Sequence, residues 1–169
     1  RDVTGSRWAG RLTGLRISDP SLGDWDLDDP AELRAARDAI SLAEGCLLGG
    51  EASLCVEGEW RPGPEGDWRA RAELDGLGWS RLRELWPPGL GLGGSASVTA
   101  TARGRGESPE ALSIEARSGP GHLSWTAEGT TGRVDHQGAT LSLAADEGGA
   151  RGRAEWDLGP LGGLEAELR

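Results

Sequence analysis

The alternation of apolar and polar residues is the feature that most constrains the fold of this chain. In segments such as 52–56, 68–74 and 96–102, apolar residues occupy every second position. Side chains of a β-strand point to opposite faces in turn, so each of these segments predicts a strand with one apolar and one polar face. Clusters of Gly and Pro separate the segments, a pattern typical of antiparallel β-structure with short turns.

The alternation alone leaves three architectures open, because a sandwich, a closed barrel and a curled open sheet all bury one face of each strand. The apolar positions hold mostly Ala, Val and Leu, which offer little volume to fill a thick core between two sheets. This favours an all-β fold with a long, strongly curved antiparallel sheet around a narrow apolar interior, which could form an open β-groove. One short helix is predicted near 80–86, where Ser80 could cap its start and Pro87 would end it.

The net charge argues against a protein that binds nucleic acid, and the length of the apolar runs argues against a membrane-spanning helix. The 169 residues carry a formal net charge of −10, whereas proteins that bind nucleic acid usually present a basic surface. No apolar run approaches the roughly 20 residues that a membrane-spanning helix needs. The sequence has no initiator Met, and we expect residues 1–169 to be a single segment of a larger protein.

The two cysteines, Cys46 and Cys55, lie in a predicted hairpin. A two-residue turn at Gly50-Glu51 places them directly opposite each other. We expect a non-hydrogen-bonded pair with Cα atoms about 4.5 Å apart, a distance that suits a disulfide. Two buried free thiols are the alternative. A disulfide implies an oxidising compartment, which for a bacterium is the periplasm or the exterior.

No group of residues points to catalysis or to a metal. His122 and His136 lie too far from the cysteines in sequence to complete a zinc site of ordinary spacing. The glycines of 89–94 match a dinucleotide-binding pattern, but they precede a predicted strand instead of a helix, so we expect a flexible entry into that strand. No G-x-S-x-G elbow is present. We therefore predict no enzyme, no cofactor and no metal.

The apolar strand face is the remaining candidate for function, because extended apolar surfaces usually mark binding sites. Acyl chains would make unspecific contacts there, or an extended polypeptide could add a strand at a sheet edge. The inward direction of this face is assumed. The residues predicted to line the groove are Leu54, Val56, Trp68, Leu74, Val98, Ile114, Trp125, Leu141 and Leu143.

Several short motifs, in a fixed order, resemble the TamB family, the inner-membrane component of the translocation and assembly module of Gram-negative bacteria. They are a Leu-x-Gly-Leu step at 12–15, Pro-Ala-x-Leu at 30–33, the cysteine hairpin, Gly58-x-Trp60, and Pro-Pro-Gly-Leu at 87–90. The resemblance is good over residues 8–94, about half of the chain, and it rests on the order of the motifs and not on any one of them. Beyond residue 94 it is a general similarity of alternating strands.

This resemblance implies a large protein that spans the periplasm as a long β-taco, related to AsmA-like and bridge-like lipid-transfer proteins. An N-terminal helix outside residues 1–169 would anchor it in the inner membrane. The implied ligands are phospholipid acyl chains, and the implied partner of the full-length protein is the outer-membrane barrel TamA. The family offers no catalytic residues.

We expect this segment to shield phospholipids in an apolar groove as they pass from the inner to the outer membrane. The first alternative is binding of unfolded outer-membrane or autotransporter proteins for assembly with TamA. The second is a closed β-sandwich binding module or a periplasmic hydrolase. A closed core without a groove would favour the sandwich, and a converging polar pocket would favour the hydrolase.

Overall fold

The computed structural model describes residues 7–127 and 129–168. Strands dominate this part of the chain. The first seven are β1 (Trp8–Leu12), β2 (Arg16–Asp19), β3 (Gly23–Leu27), β4 (Ala31–Ala35), β5 (Ile40–Gly49), β6 (Ala52–Trp60) and β7 (Asp67–Gly78). The remaining eight are β8 (Leu90–Gly93), β9 (Ser95–Arg105), β10 (Ser108–Ser118), β11 (Gly121–Ala127), β12 (Thr130–His136), β13 (Gly138–Asp146), β14 (Gly149–Asp157) and β15 (Gly163–Leu168).

Twelve of these strands form one antiparallel sheet in the order β1-β4-β5-β6-β7-β9-β10-β13-β14-β15, with the β2-β3 hairpin joined to β5. The path of paired strands ends at β1 and at β15, so the sheet is open and is not closed into a barrel. The prediction of a long open antiparallel sheet is confirmed, and a closed barrel is excluded.

A 3-10 helix, Trp79–Leu85, connects β7 to β8 and confirms the position of the predicted short helix. Its start differs from the prediction, because Gly78 is the N-cap residue and no side chain caps the helix. Ser80 therefore lies inside the first turn. A second 3-10 segment, Gly159–Leu161, lies between β14 and β15 and was not predicted.

Strands β8, β11 and β12 form a separate three-stranded sheet that continues three strands of the large one. Gly94 alone separates β8 from β9, residues 119–120 separate β10 from β11, and Gln137 separates β12 from β13. These interruptions lie side by side, because β9, β10 and β13 are neighbours in the large sheet. We call this line the crease. Gly94 has φ +105°, and Pro120 has no N–H to donate, so regular pairing stops there.

Among the described residues, most of the buried hydrophobic side chains form one cluster on the large sheet. Trp25 of β3 packs with Leu47, Ala52 and Leu77, and Leu82 of the 3-10 helix packs against the same cluster. The guanidinium of Arg81 lies 6.0 Å from the centre of the Trp25 ring and donates to the carbonyl of Leu22 at 3.1 Å. The 3-10 helix and β3 therefore cover the sheet at the β5-β6 turn.

Candidate functional site

The pairing register separates the two faces of the large sheet. Residues directly opposite each other on neighbouring strands share a face, so a chain of partners traces a row across the sheet. One row consists of Leu54, Leu74, Val98, Ala116, Leu141, Ala154 and Ala166. The next row on the same face consists of Val56, Ala72, Ala100, Ile114, Leu143, Gly152 and Leu168. We call this the apolar face.

Eight of the nine residues predicted to line the groove share the apolar face, and seven of them belong to the two rows above. Trp68 is the eighth, in line with Leu74 along β7. Leu54 and Leu74 also pack against the buried cluster around Trp25. Trp125 does not join the others, because it belongs to β11 of the three-stranded sheet, where it pairs with Leu90 and Gly132.

The opposite surface of the sheet, which we call the polar face, carries the cysteines. Cys46 and Cys55 are direct partners on β5 and β6, joined by a disulfide with Cα atoms 4.0 Å apart. The backbone N–H of Asp28 donates to the Cys46 carbonyl at 2.9 Å, so that carbonyl points away from β6, as a non-hydrogen-bonded pair requires. Gly50 in the turn has φ +64°. The disulfide and its predicted turn are confirmed.

Arginines and carboxylates cover the polar face in pairs. Arg69 donates to Glu59 at 2.6 Å across neighbouring strands, and Arg153 lies 2.9 Å from Glu165. Arg71 donates to Glu73, which raises the pKa of the Arg71 guanidinium. These side chains are mostly exposed to solvent, which screens their charges, so each pair contributes little to the stability of the fold. The ion pairs therefore give this face a charged, hydrated surface.

Concave surfaces occur on both faces. A cavity of about 860 Å³ lies where β4–β7 face β9, β10 and β13, and most of its lining belongs to the polar face, including Arg34, Glu57, Arg103 and Asp146. Strands twist along their length, and a wide twisted sheet curves in different directions at different places. The inward direction assumed from the sequence therefore does not apply uniformly along the sheet.

A second cavity, of about 380 Å³, lies on the apolar face beside the crease. Alanines of β9, β10, β13, β14 and β15 contribute much of its lining. Trp79, Leu141, Trp156 and Leu164 supply its large side chains. Trp79 is held by a 3.2 Å hydrogen bond from its indole N–H to the Ser118 hydroxyl. Leu141 is the only residue of the predicted lining set in this cavity.

Among the described residues, three buried side-chain nitrogens have no hydrogen-bond partner: Trp86 Nε1, His136 Nδ1 and Trp156 Nε1. A buried donor without a partner costs about 1–3 kcal/mol. His136 is only 3% exposed, and its ring meets the Trp156 ring edge-on, with centroids 5.6 Å apart. Two of the three nitrogens therefore belong to rings in contact, of which Trp156 lines the second cavity and His136 does not.

The other motifs considered in the sequence have structural positions of their own. His122 lies against Gly93 on the three-stranded sheet, while His136 is buried beside Trp156. The expected flexible entry at 89–94 is wrong, because residues 90–93 form β8 and pair with β11. Within residues 7–127 and 129–168, no group of three or more His, Cys, Asp or Glu is arranged to hold a metal ion.

Sequence reasoning missed the residues around the second cavity other than Leu141. Ala154 and Trp156 alternate with charged residues in β14, as do Leu164 and Ala166 in β15. Gly152, which has no side chain, weakens the alternating pattern in β14.

No helix in the described part of the chain has the length and apolar character needed to cross a membrane.

The family described as "TamB, N-terminal domain" matches residues 2–169. The match includes the strands after residue 94, for which the motifs alone indicate only a general similarity. No curated protein and no solved structure matches the chain.

Proposed function

Because the chain belongs to the TamB family, whose members act with TamA in outer-membrane assembly and lipid transport, we propose that its apolar face shields phospholipid acyl chains from water. The family implies an inner-membrane-anchored protein that spans the periplasm. In that setting this segment is one part of the path along which the lipid moves. Shielding requires no catalytic residue.

The register of the large sheet is the observation that carries this proposal. Its two apolar rows cross β6, β7, β9, β10, β13, β14 and β15 without a charged residue. Leu54 and Leu74 pack against the buried cluster, which leaves the five strands β9, β10, β13, β14 and β15 for a ligand. Neighbouring strands lie about 4.8 Å apart, so this part of a row is about 19 Å long. One leaflet of a bilayer is about 15 Å of hydrocarbon, half of the full core. An acyl chain along a row would therefore meet apolar side chains over its whole length.

The exposure of these side chains also supports the proposal. Leu141 is 38% exposed and Leu164 is 60% exposed, so contact with an acyl chain would remove apolar surface from water on both partners. Each CH₂ removed from water contributes about 0.8 kcal/mol. Such contacts discriminate weakly between lipids, which suits a passage that must also release its cargo.

Lipid binding by two matched variants tests the proposal. Leu143→Glu places a charge on the apolar face, whereas Ser142→Glu places the same charge on the polar face one residue away. We expect Leu143→Glu to reduce uptake of a fluorescent phosphatidylethanolamine from vesicles at least tenfold, and Ser142→Glu to leave uptake within about twofold of the parent chain. Equal uptake by both variants, with folding verified by circular dichroism, would contradict it.

A second function, strand addition by an unfolded outer-membrane protein, is favoured by β15. All six residues of this edge strand are exposed, and it pairs only with β14 among the described residues. Open edges of this kind accept further strands. Crosslinking from β15 to an unfolded barrel protein, unaffected by Leu143→Glu, would support this function. Direct contact of this segment with TamA stays a prediction.

A further inference from the structure

The apolar residues of the three-stranded sheet form a second surface, across the crease from the large sheet. Leu92 of β8, Leu123 of β11 and Val134 of β12 are direct neighbours in one row. Leu90 and Trp125 are partners in the row two residues further along the strands, so these side chains share one face. Trp125 is 38% exposed, which leaves part of this face open to a ligand.

His136 connects this surface to the apolar face of the large sheet. It follows Val134 by two residues in β12 and therefore lies on the same face of the three-stranded sheet. Trp156 follows Ala154 by two residues in β14 and therefore lies on the apolar face of the large sheet. The two rings meet edge-on, at an interplanar angle of 78°. The apolar surfaces of the two sheets therefore meet at the crease, and these rings lie between them.

The His136 ring also covers the backbone over which the two surfaces are joined. A Cβ atom at Gly121, the first residue of β11, would come within 2.8 Å of His136 Nε2, so the ring occupies the space above that residue. The cavity on the large sheet extends to Trp79 and Trp156. An acyl chain that continues from this cavity towards Leu123 therefore has to pass the His136 ring.

Two opposing contributions act on the contact between the rings. Edge-to-face packing favours the closed arrangement, in which the rings touch. Trp156 Nε1 and His136 Nδ1 are both buried without a hydrogen-bond partner among the described residues, which favours an arrangement in which water reaches them. Separation of the rings would hydrate both nitrogens, and an acyl chain would cover the apolar part of the Trp156 ring that becomes exposed.

We propose that the His136–Trp156 pair is a gate on the path of an acyl chain between the apolar face of the large sheet and the three-stranded sheet. This inference rests on the proposed function, to which it adds a second surface and a controlled step. The chain favours the open arrangement because only that arrangement lets it contact both surfaces. Trp125, one of the residues predicted to line the groove, then lies beyond the gate.

Two substitutions of His136 are expected to act in opposite directions. His136→Ala removes the ring and opens the gate, whereas His136→Phe keeps a ring without the unpaired nitrogen and holds the gate closed. A benzophenone side chain at position 125 reports acyl chains beyond the gate, and one at position 141 reports chains on the large sheet. After brief irradiation with phosphatidylethanolamine vesicles, the ratio of lipid adducts at 125 to those at 141 should rise about threefold in His136→Ala and fall about threefold in His136→Phe.

His122 supplies the matched control, because it belongs to the same sheet but lies on the opposite face, where it pairs with Asp135. His122→Ala and His122→Phe should leave the ratio within about twofold of that of the parent chain. A ratio that changes in the same direction in both His136 variants, or in neither, overturns the gate, while adducts at 141 sustain acyl shielding. The absence of lipid adducts at 141 overturns the gate and the proposed function together.

A measurement on the parent chain makes the test independent of how well the variants fold. The buried indole N–H of Trp156, assigned by its loss in Trp156→Phe, has to leave its contact with His136 before it exchanges with water. Methyl dodecanoate, a single uncharged acyl chain, should accelerate this exchange about threefold in the intact oxidised chain.

The indole N–H of Trp79, which donates to the Ser118 hydroxyl at 3.2 Å, is the internal reference and should not exchange faster. Binding of methyl dodecanoate without faster exchange at Trp156 overturns the gate and leaves acyl shielding in place. If methyl dodecanoate does not bind, the proposed function is overturned as well.

Discussion

The indole ring of Trp68 in β7 lies over Gly104, its direct partner in β9. A Cβ atom at residue 104 would come within 2.6 Å of the indole atoms Cε2 and Cζ2, so the ring occupies the space that a side chain would fill. A tryptophan ring also occupies the space beside a glycine in the cross-strand pair Trp125–Gly132, in Trp25–Gly49, and within β1 in Trp8–Gly10. Trp25 belongs to the buried cluster, whereas Trp8 and Trp125 are exposed, so at those two positions the flat ring leaves a low apolar surface.

A methyl group at Gly104 is expected to disturb this arrangement. In Gly104→Ala the new Cβ would meet both the Trp68 ring and the Ser108 carbonyl, so the sheet must shift to accept it. We expect the free energy of unfolding to fall by about 1–3 kcal/mol, as for other overpacked sites. Urea denaturation of the oxidised chain measures this change.

Gly14→Ala is the control for that measurement. No atom lies within 4 Å of a Cβ built at Gly14, so we expect a change within about 0.5 kcal/mol. Equal effects of the two substitutions would show that ring packing over Gly104 has no part in stability.

The disulfide should stabilise the β5-β6 hairpin from the polar face. Its cysteines are nine residues apart, and closing so short a loop in the unfolded chain contributes about 2–3 kcal/mol. The double substitution Cys46→Ser and Cys55→Ser should lower the free energy of unfolding by this amount. The hydroxyls of the two introduced serines should be tolerated, because both positions lie on the polar face.

Free thiol titration of the oxidised parent chain should find no reactive cysteine, even after denaturation. Two free thiols per chain, or a double variant as stable as the parent, would contradict this account of the hairpin.

The Arg16–Asp26 pair makes the β2-β3 hairpin sensitive to acid. Arg16 donates to both carboxylate oxygens of Asp26, at 2.6 and 3.1 Å, and this lowers the pKa of Asp26. A carboxyl with a lower pKa in the folded state stabilises the fold above its unfolded pKa of about 3.9. That contribution is lost as the pH falls through the folded value.

In Arg16→Gln the pKa of Asp26 should return towards its ordinary value, as measured by an NMR titration of the carboxyl carbon. Asp19 is the internal reference, because its pKa is lowered by the backbone N–H groups of Leu22 and Ser21. It should therefore stay low in the variant. An Asp26 midpoint that does not change in Arg16→Gln would rule out the ion pair as the cause.

Local features of the fold follow from the sequence, because a period of two directly encodes which residues share a strand face. The alternation placed Leu54, Val98 and Leu143 among the apolar positions before any pairing was known. The turn at 50–51 set the register that places Cys46 opposite Cys55.

The sequence does not predict which sheet a strand joins, because this depends on hydrogen bonds between segments far apart in the sequence. Trp125 alternates as regularly as Leu141 does, yet the crease places it in the three-stranded sheet. In the sequence, Gly119-Pro120-Gly121 indicates a turn between strands. In the structure only residues 119–120 separate β10 from β11, and β11 continues β10 into the three-stranded sheet instead of turning back along it. The cavity beside the crease forms only after this folding, so no local pattern could predict it.

Photo-crosslinking along β13 tests the central claim most directly. Leu141 and Leu143 lie on the apolar face, and Ser142 lies between them on the polar face. A benzophenone side chain is placed at each of these positions in turn, and the full-length protein is irradiated in cells. The account predicts phospholipid adducts at 141 and 143 and none at 142. Adducts at 142 as abundant as those at its two neighbours, or barrel-protein adducts alone at all three positions, would contradict it.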